Sequence, residues 1–218
     1  AASDVYKRQV KVIANQYTPL TEQFFDETED LELVVRYGVG VNHIDIDAAT
    51  RNHVIVCNVP DYGVQEVAAH ALAMMMGLTR KIYHADRVMR QGRWAYEECI
   101  PICRLSGLTV GIIGLGRIGT CLAEIIKGLG CRVIACDVRS QKRVPEHVTV
   151  VPFEQLLRES DMISIHTPLE TSRGLIGLEE LKLMKKNAVL INVSRGGIID
   201  EQALAVSYTH LRAHETLR

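Results

Sequence analysis

The chain has 218 residues, 47% of them apolar and 23% charged, and a formal net charge of −1 at pH 7. That length can bury a core as one large domain or two small ones. The near-neutral charge argues against a nucleic-acid partner or an acidic membrane surface, and no apolar run is long enough to cross a bilayer. The opening residues lack the apolar segment of a secretory signal. The six cysteines form no CxxC pair and no metal-ligand spacing, so no metal, reduced thiols and a cytoplasmic setting are expected.

The two ends stand apart from the rest. Asp4-Val5-Tyr6-Lys7-Arg8-Gln9 can be encoded by GAT GTG TAT AAG AGA CAG. The reverse complement of that string, read in a shifted frame, encodes Val206-Ser207-Tyr208-Thr209-His210 and the start of a leucine codon. Folding requires no such complementarity. The element resembles a transposon-end sequencing adapter, so residues 1–9 and 206–218 are expected to be translated adapter lying outside the fold. On that reading the grouping of His210, His214 and Glu215, which imitates a metal-ligand set, is accidental.

Between these ends short apolar runs alternate with helical patterns, which signals βαβ units and parallel sheet. Val10–Ala14 reads as a strand, followed by a helix opening near Thr18, Pro19 and Thr21. Leu31–Val35 is a second strand ending at Gly38 and Gly40. Asp45–Arg51 is a short helix, and Val54–Cys57 a third strand stopped by Pro60. From Val64 to Gln91 apolar residues recur at three- and four-residue steps (Val64, Val67, Ala71, Met75, Leu78, Ile82), predicting one long helix ended by Gly92. A hinge is expected near Pro60 to Gly63. After a loop over 93–107, strands are expected at Leu108–Ile113, Val133–Cys136, Met162–Ile165 and Val189–Ile191. Helices are expected at Ile118–Leu129, Phe153–Leu157 and Leu178–Met184. The domains follow as 10–62, a partial substrate-binding domain, and 63–205, a dinucleotide-binding domain.

Val110-Gly-Ile-Ile-Gly114-Leu-Gly116-Arg117-Ile118-Gly119 is a buried strand running into GxGxxG and a helix. GxGxxG alone is a weak pattern. Here a second apolar strand follows and ends at Asp137, eighteen residues past Gly119, close to the interval that places an acid on the adenine ribose. Gly114 allows the tight turn, Gly116 the approach of backbone to pyrophosphate, and Gly119 the packing of helix on strand. The helix N-terminus then holds the phosphates. Asp137 can accept both ribose hydroxyls and would repel a 2′-phosphate, so NAD is favoured over NADP. Arg139 argues mildly the other way. An ordinary glycine-rich turn is the alternative reading, and the surrounding strand, helix and acid weigh against it.

Asn192-Val-Ser-Arg195-Gly196-Gly197-Ile-Ile-Asp200-Glu201 carries a resemblance to the D-isomer-specific 2-hydroxyacid dehydrogenases. Arg36-Tyr-Gly38-Val39-Gly40-Val-Asn-His-Ile-Asp45, Asn58-Val-Pro60-Asp61-Tyr62 and His166-Thr167-Pro168-Leu169 agree with it. The resemblance covers 10–205 and leans towards the phosphoglycerate-dehydrogenase-like and C-terminal-binding-protein-like branches. It implies a Rossmann-type doubly wound α/β domain plus part of a flavodoxin-like substrate domain. It implies transfer of a hydride between NAD(H) and a small D-2-hydroxy acid or 2-keto acid, of the glycerate, phosphoglycerate or lactate kind, by a homodimer. Arg195 is then the catalytic arginine, whose guanidinium stabilises charge on the substrate oxygen and grips the carboxylate. Gly38, Val39 and Gly40 form the carboxylate-binding loop. Val39, Arg117, Ile118, Asp137, Thr167, Val193 and Ser194 touch the cofactor with the glycines. His166 lines the cofactor cleft and is assigned no proton transfer.

Two departures matter. The loop Leu169 to Gly174 is one residue shorter than the family's usual form, which puts its cofactor contacts in doubt. The family's glutamate and histidine acid/base fall beyond Ala205, so this polypeptide alone is expected to be inactive and poorly stable. A non-catalytic NAD-sensing protein like the corepressors of the C-terminal-binding-protein branch is the competing reading. A relative of homocysteine hydrolase shares GxGxxG but lacks the 36–45 and 192–201 segments.

Overall fold

The structure is a computed structural model that describes residues 10–138 and 144–210, the side chains of 208–210 excepted. The expectations placed on Arg139, on 1–9 and on 211–218 lie outside the described residues. The chain divides into two compact units between Gly63 and Val64.

In the first unit, β1 (Val12–Asn15), β2 (Leu33–Arg36) and β3 (Ile55–Asn58) form a parallel sheet in that order. Helix α1 (Glu22–Asp26) starts where Thr21 Oγ1 accepts from the Phe24 N–H, and α2 (Ile46–Arg51) where Asp45 Oδ1 accepts from Ala48 N–H at 2.8 Å. Such caps contribute about 1 kcal/mol each. Phe25, Leu31, Val34, Ile44, Ala48 and Val54 close the small core between sheet and helices.

The second unit opens with α3 (Val64–Thr79) and α4 (Ile82–Arg90) in place of the single long helix that the periodicity predicts. Lys81 between them is left-handed, at φ 57°. The close approach of Gly77 and Tyr83 explains the break: a Cβ on Gly77 would sit 2.3 Å from the Tyr83 ring. Residues six apart point to different faces of a straight helix. The chain must therefore turn for Tyr83 to fold back on Gly77, and the apolar spacing alone carries no sign of it.

The remaining elements are β4 (Thr109–Ile113), α5 (Arg117–Lys127), β5 (Arg132–Cys136), β6 (Val148–Val150), α6 (Phe153–Glu159), β7 (Met162–Ile165), α7 (Leu169–Ser172), α8 (Leu178–Leu183), β8 (Val189–Asn192) and α9 (Glu201–His210). The five strands are parallel in the order β6-β5-β4-β7-β8, the expected α/β class. Their side chains alternate between two cores. Val110, Ile112, Val133, Ala135 and Met162 meet Ala68, Ala71 and Met75 of α3 and Leu122 and Ile126 of α5. Ile113, Ile134, Ile163 and Ile165 meet Leu156 and Leu157 of α6 and Leu181 of α8 on the opposite face. Both faces are covered, which is why β4 and β7 read as mainly apolar runs with no polar alternation. Strand β6 and helix α7 escape sequence reading because three or four residues show no period.

Helix α9 runs past Ala205 to His210, with Ser207 buried. Asp200 Oδ1 caps its start by accepting from Gln202 and Ala203 N–H. Nothing from Glu201 to His210 is a glycine or proline, so the helix propagates through the segment whatever its origin.

Candidate functional site

Strands leave β4 in both directions in the sheet: β5 and β6 lie to one side, β7 and β8 to the other. Such a reversal opens a crevice at the carboxyl ends of the strands. The residues expected to bind cofactor follow those ends: Gly114 to Gly119 after β4, Asp137 after β5, Thr167 after β7, and Val193 and Ser194 with Arg195 after β8. All lie in the second unit, whereas Gly38, Val39 and Gly40 lie in the first.

The turn after β4 needs glycine. Gly114 has φ +95°, and a Cβ there would come within 2.8 Å of the His166 carbonyl oxygen. A Cβ on Gly119 would lie 2.0 Å from the Gly114 carbonyl oxygen. Gly116 caps α5 with extended backbone and no side chain of its own, and Arg117 and Ile118 form the first turn. The Asp137 carboxylate braces the turn, its Oδ2 accepting from the Leu115 N–H at 2.7 Å. The acid that follows β5 therefore stands directly against the glycine turn.

Two polar atoms at this crevice are buried without a hydrogen-bond partner, Thr167 Oγ1 and His166 Nδ1. Buried polar atoms are normally paired. A turn with no room for a Cβ at Gly114 or Gly119, an acid beside it and orphaned polar atoms on the neighbouring strand end fit the polar ligand that a dinucleotide is. The other ring nitrogen of His166 lies 2.8 Å from Ser164 Oγ, a partner that sequence reading passed over because a serine inside an apolar strand carries no signal.

Burial pushes the His166 pKa down to about 4, so the ring is neutral near pH 7. The unfolded chain protonates this histidine below about pH 6.5 while the native protein does not until about 4. Stability is thus expected to fall as pH drops through that window, by a total on the order of 3 kcal/mol from this residue. Denaturant titrations at pH 7 and at pH 5 test this against a His166→Asn variant, whose pH slope should be flatter. An unchanged slope would show that His166 is not the responsible group.

Arg195 sits in a turn with defined supports. The Asn192 side chain spans it, Oδ1 accepting from Ser194 N–H at 3.0 Å and Nδ2 donating to the Arg195 carbonyl at 2.8 Å. Ser194 Oγ donates to the Ile165 carbonyl at 2.9 Å, tying the turn to β7. The Arg195 guanidinium is exposed and donates to the Ser194 carbonyl. The segment 169–174, which holds α7, joins the same region, with Gly174 N–H donating to the Gly197 carbonyl at 2.9 Å.

In the first unit Gly38 has φ +145°, which favours glycine. The carbonyls of its turn are taken: Gly38 by Val59 N–H, Val39 by Asn58 Nδ2 and Gly40 by Arg36 Nε. The N–H groups of Val39 and Gly40 take no part in these bonds, which gives the turn the polarity an anion needs. Asn15, buried, links the same region by accepting from His43 Nε2 at 2.8 Å and donating to the Thr18 carbonyl. Sequence reading missed Arg36, Asn58 and Asn15 as supports because each bonds to backbone that only the fold brings near.

Comparison with known proteins agrees with this geometry. The family described as D-isomer specific 2-hydroxyacid dehydrogenase, NAD binding domain, matches residues 72–213. The chain belongs to this family. D-3-phosphoglycerate dehydrogenase of Archaeoglobus fulgidus is 38% identical over 204 residues, covering 92% of this chain and 38% of that protein. Glyoxylate reductase of Korarchaeum cryptofilum is 37% identical over 192 residues, covering 85% of this chain and 58% of that protein. Among solved structures, D-lactate dehydrogenase of Aquifex aeolicus complexed with NAD and lactic acid superposes with a TM-score of 0.86 at 31% identity, over 94% of this chain and 63% of that one. The chain thus spans less than two thirds of the length of these D-2-hydroxyacid dehydrogenase relatives. NAD is the cofactor of the matched domain, and the turn, acid and orphaned atoms described above belong to it. Among the described residues there is no group of histidine, cysteine and acid side chains that could hold a metal ion. No described helix is long and apolar enough to cross a membrane.

Proposed function

We propose that the whole protein reversibly oxidises a small D-2-hydroxy acid to its 2-keto acid with NAD. One observation carries the reading: a glycine turn braced by Asp137 lies at the sheet's reversal point, and the strand that delivers Arg195 ends at the same edge. Bound NAD(H) supplies the hydride acceptor or donor. Residues Gly114 to Gly119 with Arg117 and Ile118 hold its pyrophosphate at the N-terminus of α5, and Asp137 accepts from the ribose hydroxyls. Val39, Thr167, Val193 and Ser194 contribute further cofactor contacts. Arg195 stabilises the charge that develops on the substrate oxygen and grips the carboxylate. The turn Gly38-Val39-Gly40 holds the substrate carboxylate through its N–H groups. His166, neutral, contributes shape and hydrogen bonding and transfers no proton.

Exposed apolar side chains on α4 and the following arm, Ile82, Tyr83, Met89 and Trp94, support a homodimer built there. The cysteines, all free, support a reducing, cytoplasmic setting. The balanced charge supports a small-molecule substrate with neither nucleic acid nor membrane as partner.

Loss of NADH absorbance on adding glyoxylate or hydroxypyruvate to the whole protein tests the reaction. Turnover supports it, and NADH binding without turnover on any small 2-keto acid favours the NAD-sensing alternative. Cofactor choice is tested by Asp137→Ala, which is expected to weaken NADH about tenfold and to erase most of the preference over NADPH, a change of ~1.4 kcal/mol. Calorimetry with both cofactors reads this out, and an unaltered NADH/NADPH ratio would take the ribose role away from Asp137.

A further inference from the structure

We propose that Asn192 is the positioning residue of Arg195: its amide fixes the turn that carries the arginine, and through it sets affinity for the substrate's carboxylate without setting affinity for NAD. The inference rests on the reaction proposed above and goes further by assigning a role to a side chain outside the expected site.

The carboxamide is used at both of its ends. Its oxygen accepts from Ser194 N–H at 3.0 Å and its nitrogen donates to the Arg195 carbonyl at 2.8 Å. These are the two backbone groups on either side of the Ser194 Cα and Arg195 Cα, so one side chain fixes the peptide planes entering and leaving the arginine's segment. An asparagine that bonds to backbone two residues on is a turn former by itself. Here the second bond, to the carbonyl of residue 195, closes the span. Asn192 is also the last residue of β8, with its backbone registered against Ile165. The clasp therefore refers the turn to the sheet. Ser194 Oγ, donating to the Ile165 carbonyl at 2.9 Å, refers it to the same point a second time.

Among the described residues the guanidinium itself has no such anchor. It is exposed and donates to the neighbouring Ser194 carbonyl at 2.9 Å. A long cation on an unfixed turn samples many directions, and stabilising charge in the substrate requires that the donor be aimed beforehand. The orientation must come from the backbone, and the backbone of this turn is held by Asn192. Aspartate is a sharp test of that geometry. It keeps the oxygen that accepts from Ser194 N–H but turns the donating nitrogen into an oxygen facing the Arg195 carbonyl.

The test uses the whole protein and two readouts, NADH affinity and the affinity of the NADH-bound protein for oxamate, a keto-acid analogue. Asn192→Ala and Asn192→Asp are both expected to weaken oxamate about tenfold while NADH affinity stays within about twofold of wild type. In an Arg195→Ala background, Asn192→Ala is expected to change oxamate affinity by less than about twofold, since it acts through the arginine. Wild-type oxamate affinity in Asn192→Ala, full retention in Asn192→Asp, or an undiminished second loss in the Arg195→Ala background each overturns the positioning role alone. A wild-type protein that binds NADH but no oxamate overturns the proposed reaction, and this inference with it.

Discussion

Replacing Gly119 by alanine is expected to abolish measurable NADH binding, a loss of at least about a hundredfold, ~2.8 kcal/mol. The added methyl would lie 2.0 Å from the Gly114 carbonyl oxygen and 3.2 Å from Ile112 Cγ2. Neither neighbour is the mobile end of a side chain. The oxygen belongs to the turn itself, and Ile112 is fully buried in β4. To make room α5 must move off the strand, which takes its first N–H groups away from the proposed pyrophosphate site. Overpacking of this kind costs roughly 1–3 kcal/mol in stability besides. Gly107→Ala is the matched control, because a Cβ there meets nothing within 4 Å. A Gly119→Ala protein that bound NADH as the wild type does would mean that the turn does not hold the cofactor.

Removing the Arg195 guanidinium has the largest expected effect on turnover. Loss of one preorganised donor to a developing oxyanion costs about 10²–10³ in kcat. Arg195→Ala in the whole protein is expected to lose at least that much in kcat/KM for the keto acid, with NADH affinity preserved, because the arginine lies beyond the residues that follow β4 and β5. Arg195→Lys keeps the charge but gives up the planar fork that grips a carboxylate, and should fall between the two. Steady-state kinetics with varied keto acid reads both variants. Wild-type kcat/KM in Arg195→Ala would remove Arg195 from the chemistry.

The parts of the fold legible in the sequence are those whose physics is local. Strands β4 and β7 are buried on both faces, so their apolar runs stand out, and Asp45 and Thr21 announce helices because capping is a contact between near neighbours. The glycine turn was legible in part for the same reason: Gly119 answers a steric demand made by the Gly114 carbonyl five residues away, and Gly114 a positive φ, although the atom that crowds Gly114 is the remote His166 carbonyl. What the sequence hides depends on distant atoms. The break at Lys81 follows from a tyrosine ring lying on Gly77, and strand β6 exists because Val148 pairs with Val133. At the site, the interval of Asp137 from the glycines stands out in the sequence, whereas its bond to Leu115 N–H, by which it shapes the turn, does not. Ser164, Arg36 and Asn58 were missed because a polar residue bonded to remote backbone or to a histidine looks, in sequence, like any other.

The proposed reaction requires the crevice at the end of β4 to be a dinucleotide site. Calorimetric titration of the whole protein with NADH tests this directly. Saturable uptake of one NADH per chain, lost in Gly119→Ala and kept in Gly107→Ala, is the expected result. A folded chain that takes up no NADH, or takes it up equally well with Gly119 replaced, would contradict it.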